Sequence, residues 1–228
     1  MNSDTFRLLE SYMLSCTADD TAHGADHSLR VLYGALKIAA NEADVDYDCL
    51  IAACLLHDIG RADQLADPNV CHASAGAEKA KAFLLANGFS EAFAAHVHDC
   101  IETHRFRAGR IPATIEAKIL FDADKLDVCG AIGIARTLAY KGQHGSPLYT
   151  LSPEGRVCTD AKHTFFHEYT FKLAGMYDRF YTQRGRELAA VRKKAAEDFY
   201  AAMLDEVDGV STEGMELLEG KIYGRASR

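Results

Sequence analysis

The spacing of apolar residues is the feature that most constrains the fold of this chain. Between Ser28 and Asn41 they recur at intervals of three and four residues, which predicts an amphipathic helix. The next segment, Asp48–Ile59, is apolar on nearly every side, and its length favours a buried helix over a strand. Alternating strand patterns are scarce along the chain. The sequence therefore predicts an all-α fold.

Capping and stop signals delimit further helices. Ser90 is a typical N-cap, and Pro112 precedes a segment with an apolar stripe. The segment Lys141–Lys162 has no period and contains several Gly and Pro residues, which predicts a long loop. We expect one helical domain over 1–209, with its core at about 20–140, and a weakly ordered tail at 210–228. The further helices predicted are Ser74–Leu85, Ser90 to about His104, one after Pro112, and two C-terminal helices at about Thr164–Tyr181 and Arg186–Val207.

The composition narrows the classes of function. The 228 residues include 25 Lys and Arg against 33 Asp and Glu, and this negative balance argues against an extended nucleic-acid surface. The seven cysteines form no C-x-x-C pair, so we interpret them as reduced and buried. We see no secretory signal over Met1–Leu14 and no apolar run near the ~18 residues that span a membrane. A cytoplasmic protein without membrane contact is expected.

Six polar residues stand at helix ends or on apolar faces, where they need a partner. The pair His57-Asp58 closes an otherwise apolar helix, and a carboxylate buried there without a partner would cost several kcal/mol. A metal ion would satisfy both side chains. The six candidate residues are His27, His57, Asp58, His72, His104 and Asp124.

Each of these residues also has a purely structural interpretation. His27 stands beside Asp26 at a helix start, and His57 alone would be compatible with a hydrogen-bonded core histidine. Asp124 belongs to an acidic run that is typical of a solvated helix face. His72 precedes a helix and is compatible with a capping or loop position. Spacing alone leaves these alternatives open.

The mixture of imidazole and carboxylate donors indicates which ions such a site would hold. These donors suit divalent Mn, Fe, Co, Ni or Zn, with Mg also compatible, and they suit Ca less well. One ion held by two histidines and two aspartates keeps open positions for water and for a substrate oxygen. The donor set therefore favours a catalytic metal site.

Several segments resemble the HD superfamily of metal-dependent phosphohydrolases, which is named for its adjacent His and Asp. The likeness covers about residues 20 to 209 and is strongest to the bacterial YedJ-like subgroup. It implies an all-helical HD core with additional C-terminal helices. The segments that carry it are Gly24–Val31, Leu55–Arg61, Phe121–Asp127, Gly130–Arg136 and Phe165–Tyr169.

The resemblance also implies a set of metal ligands. His72 and His104 resemble the two extra histidines of HD enzymes with a dinuclear centre, in which Asp58 bridges the ions. In a mononuclear site these two histidines would instead bind a phosphate oxygen or relay a proton. Either one or two ions are expected. The implied ligands of the first ion are His27, His57, Asp58 and Asp124.

The function implied is hydrolysis of a phosphate mono- or diester, in a nucleotide-like or small phosphorylated substrate, by metal-activated water. We predict Asp58 as the proton acceptor as well as a ligand. Arg30 lies one turn from His27 and Lys125 adjoins the last ligand, so both are candidate phosphate contacts. The Lys141–Lys162 loop is a candidate lid.

Two other functions remain as alternatives. Some dinuclear HD proteins hold two irons and activate oxygen, and His72 and His104 are compatible with that chemistry. A domain that binds a nucleotide or a partner and keeps its metal for structural purposes is the third possibility. Cyclic di-GMP hydrolysis is disfavoured, because the Gly-Tyr-Pro signature of that branch does not follow His104.

Overall fold

The computed structural model describes residues 1–17, 24–105 and 110–224, and all longer regular elements in these residues are helices, as predicted. The loop between α8 and α9 contributes one isolated antiparallel bridge, between Leu151 and Val157. The helices are α1 (Ser3–Cys16), α2 (Ala25–Ala39), α3 (Tyr47–Leu56), α4 (Arg61–Ala66), α5 (His72–Ala86), α6 (Glu91–Thr103), α7 (Ile115–Leu126), α8 (Gly130–Gln143), α9 (Phe165–Glu168) and α10 (Gln183–Tyr223).

By its internal packing the chain divides into two compact units. The first comprises Met1–Asp127 and Phe180–Ala189, and the second comprises Val128–Arg179 and Ala190–Arg228. Parts of the single domain expected over 1–209 therefore fall into the second unit. The predicted site residues all belong to the first unit.

Helix α3 is the centre of the first unit. It packs against α1, α2, α6 and α7, and Leu50, Leu55 and Leu56 are completely buried. Asp46 is its N-cap, because the Asp46 carboxylate accepts a hydrogen bond from the backbone N–H of Cys49. The prediction of a helix that is buried on nearly every side is confirmed, and this burial places the residues at its C-terminal end inside the protein.

Two helices begin earlier than the spacing predicts. α2 starts at Ala25 instead of Ser28, and α5 starts at His72 instead of Ser74. Apolar periodicity is weak in a first turn, where the free backbone N–H groups and not side-chain packing dominate. His72 is consequently the first residue of a helix and not a loop residue. The prediction of Ser90 as an N-cap is confirmed, because its hydroxyl accepts from the N–H of Phe93.

The C-terminal part differs more from the prediction. Beyond α9 the chain continues as a π-helical turn over Tyr169–Leu173 and a 3₁₀ turn over Ala174–Met176, so regular helix does not reach Tyr181. α10 runs through Tyr223, across most of the segment 210–228 that we expected to be a weakly ordered tail, of which 225–228 lie outside the described residues.

Contacts within the second unit explain why α10 is so long. The Asp208 carboxylate accepts a hydrogen bond of 2.6 Å from the backbone N–H of Val157. Gly155 lies so close to Met215 that a side chain at that position would overlap the sulfur atom. The Lys141–Lys162 segment is thus a loop from residue 144 onwards, and its role as a lid stays a prediction. None of the helices in the described residues has the length and apolar character needed to cross a membrane.

Candidate metal centre

The structure brings the six predicted site residues together inside the first unit. The four histidine side chains are at most 3% exposed, and Asp124 is the most exposed member with a side-chain value of 13%. Five helices supply the residues: His27 lies in the first turn of α2, His57 and Asp58 follow α3, His72 begins α5, His104 follows α6, and Asp124 lies in the last turn of α7.

The first of two donor groups contains His27, His57 and Asp124. One ligand atom from each residue lies within 4.8 Å of the other two. The Nε2 atom of His27 is 3.3 Å from Nε2 of His57 and 3.4 Å from Oδ1 of Asp124. Two imidazole nitrogens and a carboxylate oxygen that converge in this way match the N/O donor set of a divalent transition metal.

The second donor group contains Asp58, His72 and His104, whose ligand atoms also lie within 4.8 Å of one another. Oδ1 of Asp58 is 3.6 Å from Nε2 of His72 and 3.7 Å from Nε2 of His104. Oδ2 of Asp58 faces the first group instead, at 3.5 Å from Nε2 of His27. The Asp58 carboxylate therefore stands between the two groups, one oxygen toward each.

The surroundings of the Asp58 carboxylate indicate whether this arrangement of donors fits a cation. Its side chain is 4% exposed, and among the described residues neither oxygen has a hydrogen-bond partner. Arg61 Nε lies 3.0 Å from Oδ1, but in an orientation that forms no hydrogen bond. Leaving a buried carboxylate in this state is costly, and metal ions on its two sides would satisfy it. The donor arrangement fits one or two divalent ions.

The imidazole rings are oriented by hydrogen bonds at their other nitrogen. In each case Nδ1 faces an acceptor, which assigns a proton to Nδ1 and directs Nε2 into the centre. In the neutral rings the lone pair of Nε2 is then available to an ion. Such partners are typical of histidines that bind metals. They are the carbonyl oxygens of Cys54 for His57 (2.8 Å) and Ile101 for His104 (2.6 Å), Oε1 of Gln64 for His72 (2.6 Å), and Oδ2 of Asp127 for His27 (2.7 Å).

Most of the donors hold the protonation state that a metal requires. Burial lowers the pKa of His57 and takes that of His104 to about 4, so both rings are neutral. Burial alone would raise the pKa of the Asp58 carboxyl, but Arg61 and the nearby histidines hold it well below its usual range. Burial also opposes a charge on His27, yet hydrogen bonds to surrounding carboxylates raise its pKa to about 10. A proton on His27 thus supplies positive charge that a cation would replace.

Asp127 and Gln64 are not among the site residues predicted from the sequence. Asp127 accepts from His27 and also receives two hydrogen bonds from the Arg30 guanidinium, from Nε at 2.9 Å and Nη2 at 3.1 Å. Asp127 lies within the segment that carries the resemblance, three residues after Asp124, so its spacing offered a signal. No pattern marks Gln64, which reaches His72 from α4, a helix that we did not predict.

The two predicted phosphate contacts both bind carboxylates. Lys125 Nζ lies 2.6 Å from Oδ2 of Asp124 and 5.0 Å from the centre of the Phe121 ring, and the residue is 8% exposed. Arg30 binds Asp127, with 38% of its side chain exposed. Their roles as phosphate contacts stay predictions.

Comparison with known proteins agrees with this geometry. The family model named HD domain matches residues 24–129, a range that contains all six donors and both Asp127 and Gln64. This part of the chain is an HD domain. The resemblance to the HD superfamily is thereby confirmed, whereas the YedJ-like subgroup stays a prediction.

Relatives of the HD domain include the Bacillus subtilis protein YpgQ, which is 34% identical over 109 residues, so the match covers 48% of this chain and about half (48%) of YpgQ. The crystal structure of YpgQ in complex with ADP has 25% identity and a TM-score of 0.70, covering 90% of this chain and 99% of that one.

Two further solved structures are similar. A predicted HD superfamily hydrolase from an uncultured Thermotogales bacterium has 29% identity and a TM-score of 0.61, covering 90% of this chain and 99% of that one. An HD-superfamily hydrolase from Bacillus thuringiensis has 27% identity and a TM-score of 0.66, with 89% and 96% covered.

Proposed function

We propose that this HD domain is a metal-dependent phosphohydrolase that cleaves a phosphate mono- or diester with metal-activated water. The observation that carries the proposal is the buried Asp58 carboxylate, whose two oxygens face two separate groups of donors and lack hydrogen-bond partners among the described residues. Similarity to proteins named HD-superfamily hydrolases supports the class of reaction.

The donor set supports two ions. His27, His57 and Asp124 would hold one ion, His72 and His104 would hold the other, and Asp58 would be shared. All of these ligands are imidazole nitrogens or carboxylate oxygens, which suits Mn, Fe, Co, Ni or Zn and is compatible with Mg. When bound, such ions lower the pKa of water and neutralise charge that develops on phosphoryl oxygens.

The contribution of the protein is to hold the donors in place and to supply positive charge at the edge of the centre. Asp127 and Gln64 orient His27 and His72 through hydrogen bonds. The low pKa of Asp58 favours its role as a shared ligand, and its role as a proton acceptor stays a prediction. Arg61 is the cation that lies against the shared carboxylate, and with 28% of its side chain exposed it is well suited to bind a substrate phosphate.

The substrate class proposed is a nucleotide-like or other small phosphorylated molecule. YpgQ has been crystallised with ADP, and that relative shares the fold over 90% of this chain. Arg61 and Lys125 lie next to the donor carboxylates Asp58 and Asp124, and Arg30 binds Asp127 beside them, so three basic side chains lie near the donors. A phosphate oxygen would find both metal and guanidinium partners there.

A second candidate is a diiron oxygenase. The same observation favours it, because two donor groups that share a carboxylate suit two irons as well as other divalent ions. Anaerobic hydrolysis of phosphate esters would exclude this alternative, and strict dependence on oxygen would support it. A binding module without turnover is the third candidate and predicts metal without hydrolysis.

The test is metal content by mass spectrometry combined with activity. Protein purified without chelator or affinity metal is compared with the His57→Ala and Asp58→Ala variants, and with His98→Ala as a control histidine outside the centre. We expect Asp58→Ala, which removes the shared ligand, to contain about two ions fewer than the wild type and His57→Ala about one fewer, and both to lose phosphatase activity on aryl phosphates and ADP. The proposal fails if the wild type takes up no Mn, Fe, Co, Ni or Zn, or if Asp58→Ala retains turnover.

A further inference from the structure

A third group of potential metal donors lies outside the HD centre. It contains Cys49, His96 and Cys100, with one donor atom from each within 4.8 Å of the others. Both cysteines are completely buried, whereas 29% of the His96 side chain is exposed. The sequence indicates only reduced and buried cysteines, and nothing in their spacing along the chain connects Cys49 with Cys100.

Helix geometry explains how these side chains meet. His96 and Cys100 are four residues apart on α6, so they lie on one face of that helix. Cys49 lies in the first turn of α3, which packs against α6. The hydrogen bond with Cys100, burial and nearby carboxylates raise the pKa of the Cys49 thiol, so Cys49 would give up its proton on binding an ion.

A buried carboxylate lies beside the group. Glu116, near the start of α7, is 3% exposed, and its Oε2 lies 3.1 Å from Nε2 of His96. Its other oxygen, Oε1, accepts a hydrogen bond of 2.8 Å from the backbone N–H of Asp46. This second bond orients the carboxylate and leaves Oε2 directed at the imidazole, as in metal sites whose ligands are held by neighbouring groups.

We propose that Cys49, His96, Cys100 and Glu116 form a structural zinc site. Two thiolates, one imidazole and one carboxylate are ligands that zinc takes in tetrahedral sites. Sulfurs at ~2.3 Å from a shared ion would be about 3.8 Å apart, which is inside the 4.8 Å limit that the donors of Cys49, His96 and Cys100 already meet. Glu116 would join them through Oε2, which lies 3.1 Å from Nε2 of His96. The partly exposed His96 offers a route for the ion to enter.

The electrostatics of the group support this site. The hydrogen bond from Cys49, with the His96 imidazole, lowers the pKa of the Cys100 thiol to about 6, although burial opposes this. The hydrogen bond with Cys100 raises the pKa of His96 to about 9. A proton on His96 thus stabilises a buried Cys100 thiolate. A cation such as zinc would displace that proton.

The position of the site indicates its purpose. α3, α6 and α7 supply its ligands, and these three helices also carry His57, His104 and Asp124 of the HD centre. Cys49 lies eight residues before His57, a distance of about 12 Å along a helix. A closed site with four protein ligands has no open position for a substrate. Zinc would therefore fasten these helices together at a distance from the catalytic donors.

Cobalt distinguishes this site from the HD centre, because only thiolate ligands produce a sulfur-to-cobalt charge-transfer band in the near ultraviolet. Metal-free, reduced wild-type protein is titrated anaerobically with Co²⁺. We expect the saturated band to have the intensity of one thiolate-bound Co²⁺ per chain and to disappear when Zn²⁺ is added. The band should persist in Asp58→Ala, which disrupts the HD centre, and in Cys54→Ala, which removes a neighbouring buried thiol.

Loss of individual ligands supplies the decisive comparison. Cys100→Ser should abolish the band in protein that circular dichroism shows to be folded, and His96→Gln, a change at a partly exposed position, should weaken Co²⁺ binding about tenfold or more. Absence of the band in the wild type would overturn the proposal and indicate a metal-free hydrogen-bonded cluster. If Cys100→Ser does not fold, an unchanged affinity in His96→Gln would overturn the proposal equally.

Discussion

The hydrogen bond between Asp127 and His27 permits a test of the two donor groups one at a time. Asp127 accepts a hydrogen bond from His27, which belongs to the first group. In the variant Asp127→Asn the side chain keeps its size but loses the charge that orients the His27 ring and raises the basicity of its Nε2. Metal affinity should fall at the first group and not at the second.

The expected size follows from the 2.7 Å bond and the burial of both partners. Mutation of a hydrogen-bond partner of a metal-binding histidine typically lowers metal affinity by about 10- to 100-fold, which corresponds to about 1.4 to 2.7 kcal/mol. The buried charge-assisted bond places Asp127→Asn toward the upper half of that range. Gln64→Ala tests the second group in the same way, because Gln64 is the hydrogen-bond partner of His72 Nδ1.

Isothermal titration calorimetry with Mn²⁺, which favours carboxylate oxygens over thiolates, resolves the two affinities of the HD centre. For Asp127→Asn we expect one step to weaken by about 10- to 100-fold while the other changes less than about threefold, and Gln64→Ala should affect the opposite step. Equal weakening of both steps in each variant would refute the division of the centre into two donor groups. A single binding step in the wild type would refute the dinuclear arrangement itself.

Three further predictions concern stability. Asp122→Ala removes a buried carboxylate that accepts hydrogen bonds from the N–H groups of Tyr181 and Thr182 and from the Thr182 hydroxyl. Urea denaturation should therefore show a free energy of unfolding lower by about 3 to 5 kcal/mol. A decrease below about 1 kcal/mol would contradict this. Gly60→Ala would place a methyl group 2.2 Å from the carbonyl oxygen of His72, so it should lower both stability and metal content, whereas Gly142→Ala, where nothing lies within 4 Å, should change neither. Removal of metal by a chelator should lower the thermal midpoint of the wild type more than that of Asp58→Ala, which keeps only the proposed zinc site, because ligands stabilise the state that binds them.

Much of the fold follows from local patterns. The apolar period identified α2, α3 and α5 to within a few residues, and the cap at Ser90 was correct, because these features depend on neighbours along the chain. Predictions of helix limits failed where contacts between residues distant in sequence determine them. The helix through 210–223 depends on contacts such as those that Val157 and Gly155 make with it, and these partners are more than fifty residues away in sequence.

The candidate site shows the same division. The pair His57-Asp58 could be recognised from the sequence, because a polar pair that ends an apolar helix has few ways to be satisfied when buried. The functions of Asp127 and Gln64 could not, since each depends on which imidazole it faces. The Cys49 and Cys100 pairing was equally hidden, because the two thiols meet only when α3 packs against α6.

The sequence by itself determined the helical class, the family resemblance and the types of donor atom, because periodicity and residue chemistry are properties of the chain. The tertiary structure decided how those donors are grouped. It placed one Asp58 oxygen toward His27 and the other toward His72, residues that lie 45 positions apart. Such a division depends on the directions in which side chains leave packed helices, and packing of the whole first unit sets those directions.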